Sequence, residues 1–579
     1  MTHTIAITGL GIICSIGNDA PSVLDSLRKG ESGIRRMKYL PSKHTHLPVG
    51  EVQLSNGEMK HMLGITSSEP MSRTALMGAI AVRQALAQAG IEDVSDKRIA
   101  LISGTTVGGM DLTERYFERM KSDDSLLWLP QSNDCGDSTK EIAAIAGLNS
   151  AEVCTISTAC SSALNSIILG SEMLRRDEAD IVVAGGSEAL SLFHLNGFNT
   201  LMILDKEQCR PFDDTRAGLN LGEGAAFVVL QRDTEGLAYV VGYGNRCDAF
   251  HQTASSENGE GAYLAMKDAM DMAGLTPDDI QYVNAHGTGT PNNDLSESAG
   301  LKRIFTESMP AVSSTKSFTG HTTSASGSIE TVICVLAMQN GFIPANLGWK
   351  NQAFGAITPT MGAEGVELKN VICNSFGFGG NDSSMILSAE PHSFTDSKSA
   401  TPQVEVVADV EISSVEELSQ LREFVSPMES RRMGKLMKAA HLAALRALKA
   451  ANVECPDAIV TATSRGMLET SMQFLDDMLN GGEELLKPTL FMQSTHNTLS
   501  SAIAIRTKCH GYNTTYSQGE ESLQWAMRDA ERLIATGKAQ TVLVGLYDEV
   551  TPIFAEFAKR AGRQVPQELY ARSIVLTRK

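Results

Sequence analysis

The stretch Val153–Arg175, VCTISTACSSALNSIILGSEMLR, decides how this chain folds. Val153–Ile156 is a β-type apolar run, Ser161–Arg175 has helical spacing, and Cys160 stands between them in Ser157-Thr-Ala-Cys-Ser-Ser-Ala163. Within the helical part, Ala163, Leu164, Ile167, Ile168 and Leu174 leave much of the circumference apolar, which predicts a helix buried between sheets. A thiol at a strand-to-helix turn faces unpaired backbone N–H groups and the positive end of the helix dipole, so the thiolate is expected to be favoured. Cys160 is a candidate nucleophile, and a buried structural cysteine is the alternative.

Outward from this segment, β-rich runs at Thr4–Thr8, Ile99–Ser103, Ile181–Ala184, Ala225–Leu230 and Val371–Cys373 alternate with helical patterns such as Ser72–Ala89. The alternation predicts a layered α/β architecture with largely buried strands. Of the 579 residues, 42% are hydrophobic, and mean hydropathy is −0.09. With no sustained apolar run near membrane-spanning length, the chain reads as soluble, and no membrane partner is expected. The 49 Lys and Arg against 68 Asp and Glu give a net charge of −19, which argues against nucleic acid as a partner. Ile5–Ile16 fits a buried strand and turn better than a secretion signal, so a cytoplasmic location is expected. The ten cysteines are scattered without a Cys-x-x-Cys pair, and apart from Cys160 they are expected to be buried small hydrophobes.

Glu390–Glu405, EPHSFTDSKSATPQVE, has two prolines and no apolar period, and it marks a linker. The predicted organisation is a domain over 1–390 with halves of about 1–250 and 251–390, a linker over 391–404, and a second domain over 405–579. The last of these copies the first domain's early half. Ser72–Ile91 matches Arg432–Val453 in pattern, each followed by a strand, at Ala100–Ser103 and Ala458–Thr461. TISTACSSALNSI from Thr155 lies on TTYSQGEESLQWA from Thr514, putting Cys160 opposite Gly519. The strands from Ala179 and Ala539 then align after a one-residue insertion. The copy stops before any counterpart of the two histidines considered next, so it is expected to keep the scaffold without the chemistry.

His286 lies in Asn284-Ala-His-Gly-Thr-Gly-Thr290 and His321 closes Ser313-Ser-Thr-Lys-Ser-Phe-Thr-Gly-His321, both beside glycines and hydroxyls that permit close approach to a ligand. The Gly9-Leu-Gly11 start imitates a dinucleotide fingerprint, but Cys14 occupies the third glycine position and no acidic partner is evident at the expected distance. Cys160, His286 and His321 have no local metal signature, and no metal is expected.

Taken together, Cys-Ser-Ser, His-Gly-Thr-Gly-Thr, Lys-x-x-x-Gly-His and Asn374-Ser-Phe-Gly-Phe-Gly-Gly380 occur in the order and approximate spacing of the β-ketoacyl-[acyl carrier protein] synthases. Residues 1 to about 390 resemble the elongating, two-histidine members of this thiolase-fold family. Thr8-Gly-Leu-Gly11, Arg210-Pro-Phe-Asp213, Gly222-Glu-Gly224, Pro291, Asp294, Glu297 and Glu330 also match. The resemblance implies a thiolase-like αβαβα architecture, extended here by an α/β half-domain lacking the catalytic residues.

It further implies an acyltransferase that performs a decarboxylative Claisen condensation. Cys160 would carry the acyl chain, His286 and His321 would stabilise the enolate, and Lys316 with Glu330 would form a supporting ion pair. Backbone N–H groups of Cys160 and Phe378 would form the oxyanion hole. Thr288 and Thr290 would contact the phosphopantetheine arm, and Phe378 would gate the acyl pocket. No bound cofactor is implied, because acyl- and malonyl-loaded acyl carrier protein delivers that arm. Family members dimerise, so a homodimer or a heterodimer with a related synthase is implied.

Two stretches depart from the family pattern, Thr322-Thr-Ser-Ala-Ser-Gly327 after the second histidine and Asn381-Asp382 after Phe-Gly-Gly. Of the basic residues that greet a carrier in relatives, only Arg73 is present, while Arg35, Arg36 and Lys38 read as a solvated face. The reading is an active synthase in fatty-acid, polyene or polyketide-type biosynthesis. A non-catalytic partner resembling chain-length factors is the alternative. A thiolase-like transfer from coenzyme A is a third, weakened because His321 stands where thiolases use a second cysteine.

Overall fold

In the computed structural model, which describes residues 2–92, 94, 96–129, 133–395 and 404–579, one strand order occurs three times. The first set comprises β1 (Ile5–Cys14), β2 (Ile99–Gly104), β3 (Glu152–Ile156), β4 (Ile181–Glu188) and β5 (Gly224–Arg232), ordered β3-β2-β4-β5-β1. Strand β2 is parallel to β3 and β4, while β5 is antiparallel to β4 and β1. The second set, β6 (Ala238–Cys247), β7 (Tyr282–Asn284), β8 (Ala311–Ser313), β9 (Asn370–Gly377) and β10 (Asn381–Ser388), is ordered β8-β7-β9-β10-β6 with the same directions. The third, β11 (Val404–Ile412), β12 (Ala458–Ala462), β13 (Tyr512–Tyr516), β14 (Thr541–Glu549) and β15 (Leu569–Arg578), is ordered β13-β12-β14-β15-β11.

The helices that position the site are α1 (Arg73–Gln88), α2 (Cys135–Ala146), α3 (Ser162–Arg175) and α4 (Ser326–Asn340), followed in the tail by α5 (Lys435–Ala450), α6 (Thr498–Thr507) and α7 (Ser522–Ala535). Alternate strand residues face opposite layers, as the period of two requires. Ile102, Val182 and Val228 pack inward with Leu164 and Ile167 of α3 and Ile329 and Val332 of α4. Their neighbours Leu101, Val183 and Val229 pack outward on α1. On the second set, Val371, Cys373 and Leu387 face the central helices, and Ile372 and Ile386 face the outer helix Glu260–Ala273. The result is the five-layer αβαβα arrangement that the family resemblance implies, with the apolar helix after Cys160 buried in its central layer. Truncating Ile167 there would cost about 2–5 kcal/mol, since its site is covered on both sides.

Gly9 and Gly11 serve helix packing. A Cβ on Gly9 would lie 2.1 Å from the Ala85 carbonyl oxygen, and one on Gly11 would lie 1.8 Å from that of Ala81. The two glycines let β1 lie against α1, which accounts for the Gly-x-Gly spacing through packing.

In the tail, α5 takes the position of α1 and α7 that of α3. The central helix α3 is buried from Ser162 to Ser171, whereas α7 exposes Gln524 and Glu531 and buries Trp525, Ala526, Ala530, Leu533 and Ile534. Among the described residues no second sheet covers α7, and its sequence is amphipathic accordingly. The half-domain joins its own catalytic domain edge to edge: β13 pairs antiparallel with β3, Ile156 facing Tyr516. Ser157 N–H donates to the Thr515 carbonyl at 2.9 Å, and Ser517 N–H to the Thr155 carbonyl at 3.0 Å. Beside this seam, Arg532 reaches Glu178 at 2.7 Å and Lys538 reaches Glu172 at 2.6 Å.

The observed register differs by one residue from the sequence alignment. Ile156 corresponds to Tyr516, Ala159 to Gly519 and Ser162 to Ser522, so Cys160 corresponds to Glu520. Ala159 and Gly519 share a left-handed backbone, with φ of 52° and 60°. Glu188 and Asp548 then match without an insertion, each accepting from the loop after the second strand of its set. Of the nine cysteines expected to be buried, Cys455 is exposed. Most of the 391–404 linker lies outside the described residues, while Phe394–Thr395 pairs with Thr2–His3.

Candidate active site

Cys160 lies in a short helical turn, Ala159–Ser161, immediately before α3. Ala159, at a φ of 52°, occupies a conformation that costs a non-glycine residue about 1–3 kcal/mol. Surrounding bonds hold it. Ser162 Oγ accepts from Thr158 N–H at 2.9 Å and donates to the Ala159 carbonyl at 2.6 Å, and Ser375 Oγ donates to the Cys160 carbonyl at 2.9 Å.

The chain brings the two predicted histidines to this turn. His321 Nε2 is 3.1 Å from Cys160 Sγ and its Nδ1 is 3.0 Å from Ser326 Oγ. The rings of His286 and His321 meet edge to face at 5.2 Å, and His286 also lies against Phe376 at 5.8 Å. Among the described residues His286 Nδ1 has no hydrogen-bond partner. Glu297 accepts from the backbone N–H of His286 and of Gly287, at 2.9 and 2.8 Å, and so fixes the His-Gly turn.

Burial dominates the electrostatics. It pushes the Cys160 thiol up to about 11, with the Phe378 N–H, Lys316 and the thiol's own backbone N–H pulling it back. The thiolate preference expected from the strand-to-helix turn is therefore overturned in the resting site, because desolvation outweighs the helix end. The same causes hint at how the sulfur is addressed, since the N–H groups of both Cys160 and Phe378 act on it. Burial, then the Lys316 ammonium, hold both histidines well below the usual imidazole range, so both rings are neutral. Lys316 pairs with Glu330, both almost fully buried. Burial pushes Glu330 up to about 7 against the pull of Lys316.

Thr288 and Thr290 share a hydroxyl contact of 2.8 Å, Thr288 buried and Thr290 half-buried. Phe378 stacks on Phe198 at 5.6 Å, and both line a cavity beside Cys160 with Phe193 and His194. Arg73 is not available to a carrier. It is buried, with Nε and Nη2 forked onto Glu223 at 2.9 and 2.7 Å.

Sequence reasoning missed the tail's contribution. Phe491, Thr495 and His496 close the cavity opposite Cys160, with Phe491 meeting Phe198 at 5.2 Å. Asn497 Nδ2 donates to the Phe378 carbonyl at 2.9 Å. These residues lie between the matched segments of the internal repeat, so the pattern that revealed the copy passed over them.

Cys160, His286 and His321 present ligand atoms within 4.8 Å of one another, close enough for one metal ion. The neighbouring Lys316 charge, which already disfavours protonating both histidines, equally disfavours a cation there.

A thiol, two neutral histidines and backbone N–H groups gathered where two stacked strand sets bring central helix ends together define a thiolase-fold acyl-transfer site. Family models agree: the N-terminal domain of β-ketoacyl synthases matches residues 2–236 and the C-terminal domain 237–350, and an N-terminal domain matches again over 408–578. The chain belongs to the β-ketoacyl synthase family. It is 32% identical over 411 residues to 3-oxoacyl-[acyl-carrier-protein] synthase 2 of Vibrio cholerae, covering 66% of this chain and 98% of that one. Among solved structures, the ishigamide ketosynthase/chain length factor is 27% identical, with a TM-score of 0.61, over 67% of this chain and all of that one. The PfaC keto synthase-chain length factor, 16% identical, superposes over all of this chain and 78% of its own with a TM-score of 0.78, which shows that the tail shares the fold of such a pair. Among the described residues, no helix is long and apolar enough to cross a membrane.

Proposed function

We propose that the protein condenses malonyl-carrier protein with an acyl chain held on Cys160, giving a 3-oxoacyl-carrier protein two carbons longer. In the first half, Cys160 gives up its proton as the sulfur attacks the acyl thioester, and the first carrier leaves as its thiol. The N–H groups of Cys160 and Phe378 stabilise the oxyanion, each such donor contributing about 2.7–4 kcal/mol. In the second half, the malonyl C–C bond breaks and CO₂ departs. The resulting enolate oxygen accepts N–H bonds from His286 and His321. The enolate carbon then attacks the acyl carbonyl, and the Cys160 sulfur leaves and is reprotonated.

The observation that carries this reading is the buried cluster itself: His321 Nε2 lies 3.1 Å from Cys160 Sγ and the His286 ring meets that of His321 at 5.2 Å, with burial holding both imidazoles neutral. A neutral imidazole can donate to an enolate without being acid enough to quench it. Thr288 and Thr290 are assigned to the phosphopantetheine arm, which acyl carrier protein brings, Phe378 to the gate, and Lys316 with Glu330 to holding the histidines neutral. The domains proposed are the synthase over 1–390 and the half-domain over 405–579, which takes the place of a second subunit beside the acyl cavity. The setting is cytoplasmic fatty-acid, polyene or polyketide-type biosynthesis. The complete set of Cys160, His286 and His321 weighs against the reading as a non-catalytic partner.

Intact-mass analysis of the wild type and Cys160→Ala with a panel of acyl-carrier proteins, followed by malonyl carrier, tests this. Acylation of the wild type alone, then a product two carbons longer, is expected. A folded wild type that no acyl carrier acylates would overturn it.

A further inference from the structure

The gate loop Gly377–Gly380 is fixed at three successive peptide groups, and one of the fixing groups belongs to the tail. Gly380 N–H donates to the Gly377 carbonyl at 3.0 Å, and Gly379 N–H donates to the Gln252 carbonyl at 2.7 Å. The Phe378 carbonyl accepts from Asn497 Nδ2 at 2.9 Å. Asn497 is the N-cap residue of α6 and is fully buried, and its Oδ1 has no partner among the described residues. Close packing reinforces the contact: Gly379 has a φ of +85°, and a Cβ on it would lie 2.1 Å from Ser501 Oγ on the same helix. The preceding residue reaches the nucleophile's own loop, with His496 Nδ1 3.2 Å from Ser157 Oγ and 3.3 Å from Cys135 Sγ.

We infer that Asn497 is a positioning residue for the condensation: the tail's amide sets the Phe378 peptide whose neighbouring N–H faces Cys160, and it must be released for the gate to swing. This rests on the proposed reaction, in which Phe378 is both oxyanion donor and gate. Fixing that peptide in advance avoids reorganisation as the oxyanion forms.

The test compares N497L, which removes the donor and keeps most of the volume, with N497A and with R506A. Arg506 is paired with Glu429 on the tail surface and serves as a control for general loosening of the tail. Single-turnover acylation of Cys160, the kcat and KM with malonyl carrier, and amide hydrogen exchange over residues 376–381 are measured.

N497L and N497A are expected to lose about tenfold in acylation and in kcat, the worth of one hydrogen bond, with KM unchanged and exchange faster in the loop. R506A keeps the rate. Wild-type rates in N497L would overturn the inference, as would an equal loss in R506A. If N497L does not fold, wild-type rates in N497A overturn it. Should the wild type itself never be acylated, the proposed reaction fails instead, and loop exchange alone still decides whether Asn497 holds the gate.

Discussion

Ser157 N–H donates to the Thr515 carbonyl across the seam between β3 and β13, only three residues before Cys160. The tail is thereby built into the scaffold of the active site. Its own equivalent of Cys160, Glu520, is exposed, because among the described residues no second sheet encloses α7. One strand-to-turn geometry therefore occurs twice in the chain, once buried and reactive in type, once solvated.

That contrast predicts two different thiols. Cys160 is held up to about 11 by burial, so its thiolate fraction keeps rising with pH well beyond 9. Alkylation of Cys160 by iodoacetamide should gain about tenfold per pH unit from 7 to 10 without levelling. A cysteine introduced by Glu520→Cys should level near the ordinary value of about 8.5. Mass-resolved labelling of each site against pH checks both profiles, and a plateau for Cys160 near pH 8.5 would contradict the desolvated site.

The histidines divide the reaction. His286→Ala should leave Cys160 acylation intact and slow condensation by about 10²–10⁴, while His321→Ala, which removes the ring 3.1 Å from Sγ, should slow both halves. Both folded-state pKa values are depressed, so the neutral rings persist as pH falls. Wild-type condensation should therefore show no loss attributable to histidine protonation on passing down through pH 6.5. A steady-state pH profile with a break there would count against neutral donors.

The Cys160 turn, the buried helix behind it, both histidine loops and the copied scaffold were legible from short-range pattern, because each is written in consecutive residues. The register of the repeat was not. Thr514 and Thr515 are adjacent and alike, so pattern matching slid by one where the matching strand and helix limits, and the positive φ shared by Ala159 and Gly519, fix the correspondence. Desolvation was equally hidden: the helix end at Cys160 can be read locally, but the burial that overrides it comes from residues far apart in the chain. Phe491 and Asn497, which reach the site across the seam, depend on that long-range packing altogether.

Lys316 and Glu330 form a buried pair whose halves cannot be removed singly without penalty. Lys316→Met should destabilise the fold by about 3–5 kcal/mol, and Lys316→Met with Glu330→Leu should recover much of it. The Glu330 pKa is raised above its unfolded value, so its contribution is fully present below about pH 4.3 and declines as pH rises toward about 7. Without Lys316 that decline should extend to higher pH. Urea denaturation at several pH values checks it. A single variant as stable as the wild type would mean the pair is not load-sharing in the folded state.

The last prediction concerns the tail as a built-in neighbour. Residues Thr155–Ser157 present a strand edge that Thr515–Ser517 covers with two backbone hydrogen bonds, 2.9 and 3.0 Å long. Because the tail copies the first strand set, the edge it covers is suited to pairing with a second copy of itself. A chain ending at residue 395 would expose that edge together with Ile168, Leu169 and the cavity beside Cys160, and an uncovered edge with apolar flanks seeks a partner. The truncated chain should therefore self-associate, with β3 pairing to β3, while the full chain, whose edge is already filled, should not use that edge. Sedimentation of both chains distinguishes these cases. A truncated chain that stays monomeric and folded would show that the tail's docking is dispensable to the scaffold, and would leave its role to Phe491, His496 and Asn497 at the active site.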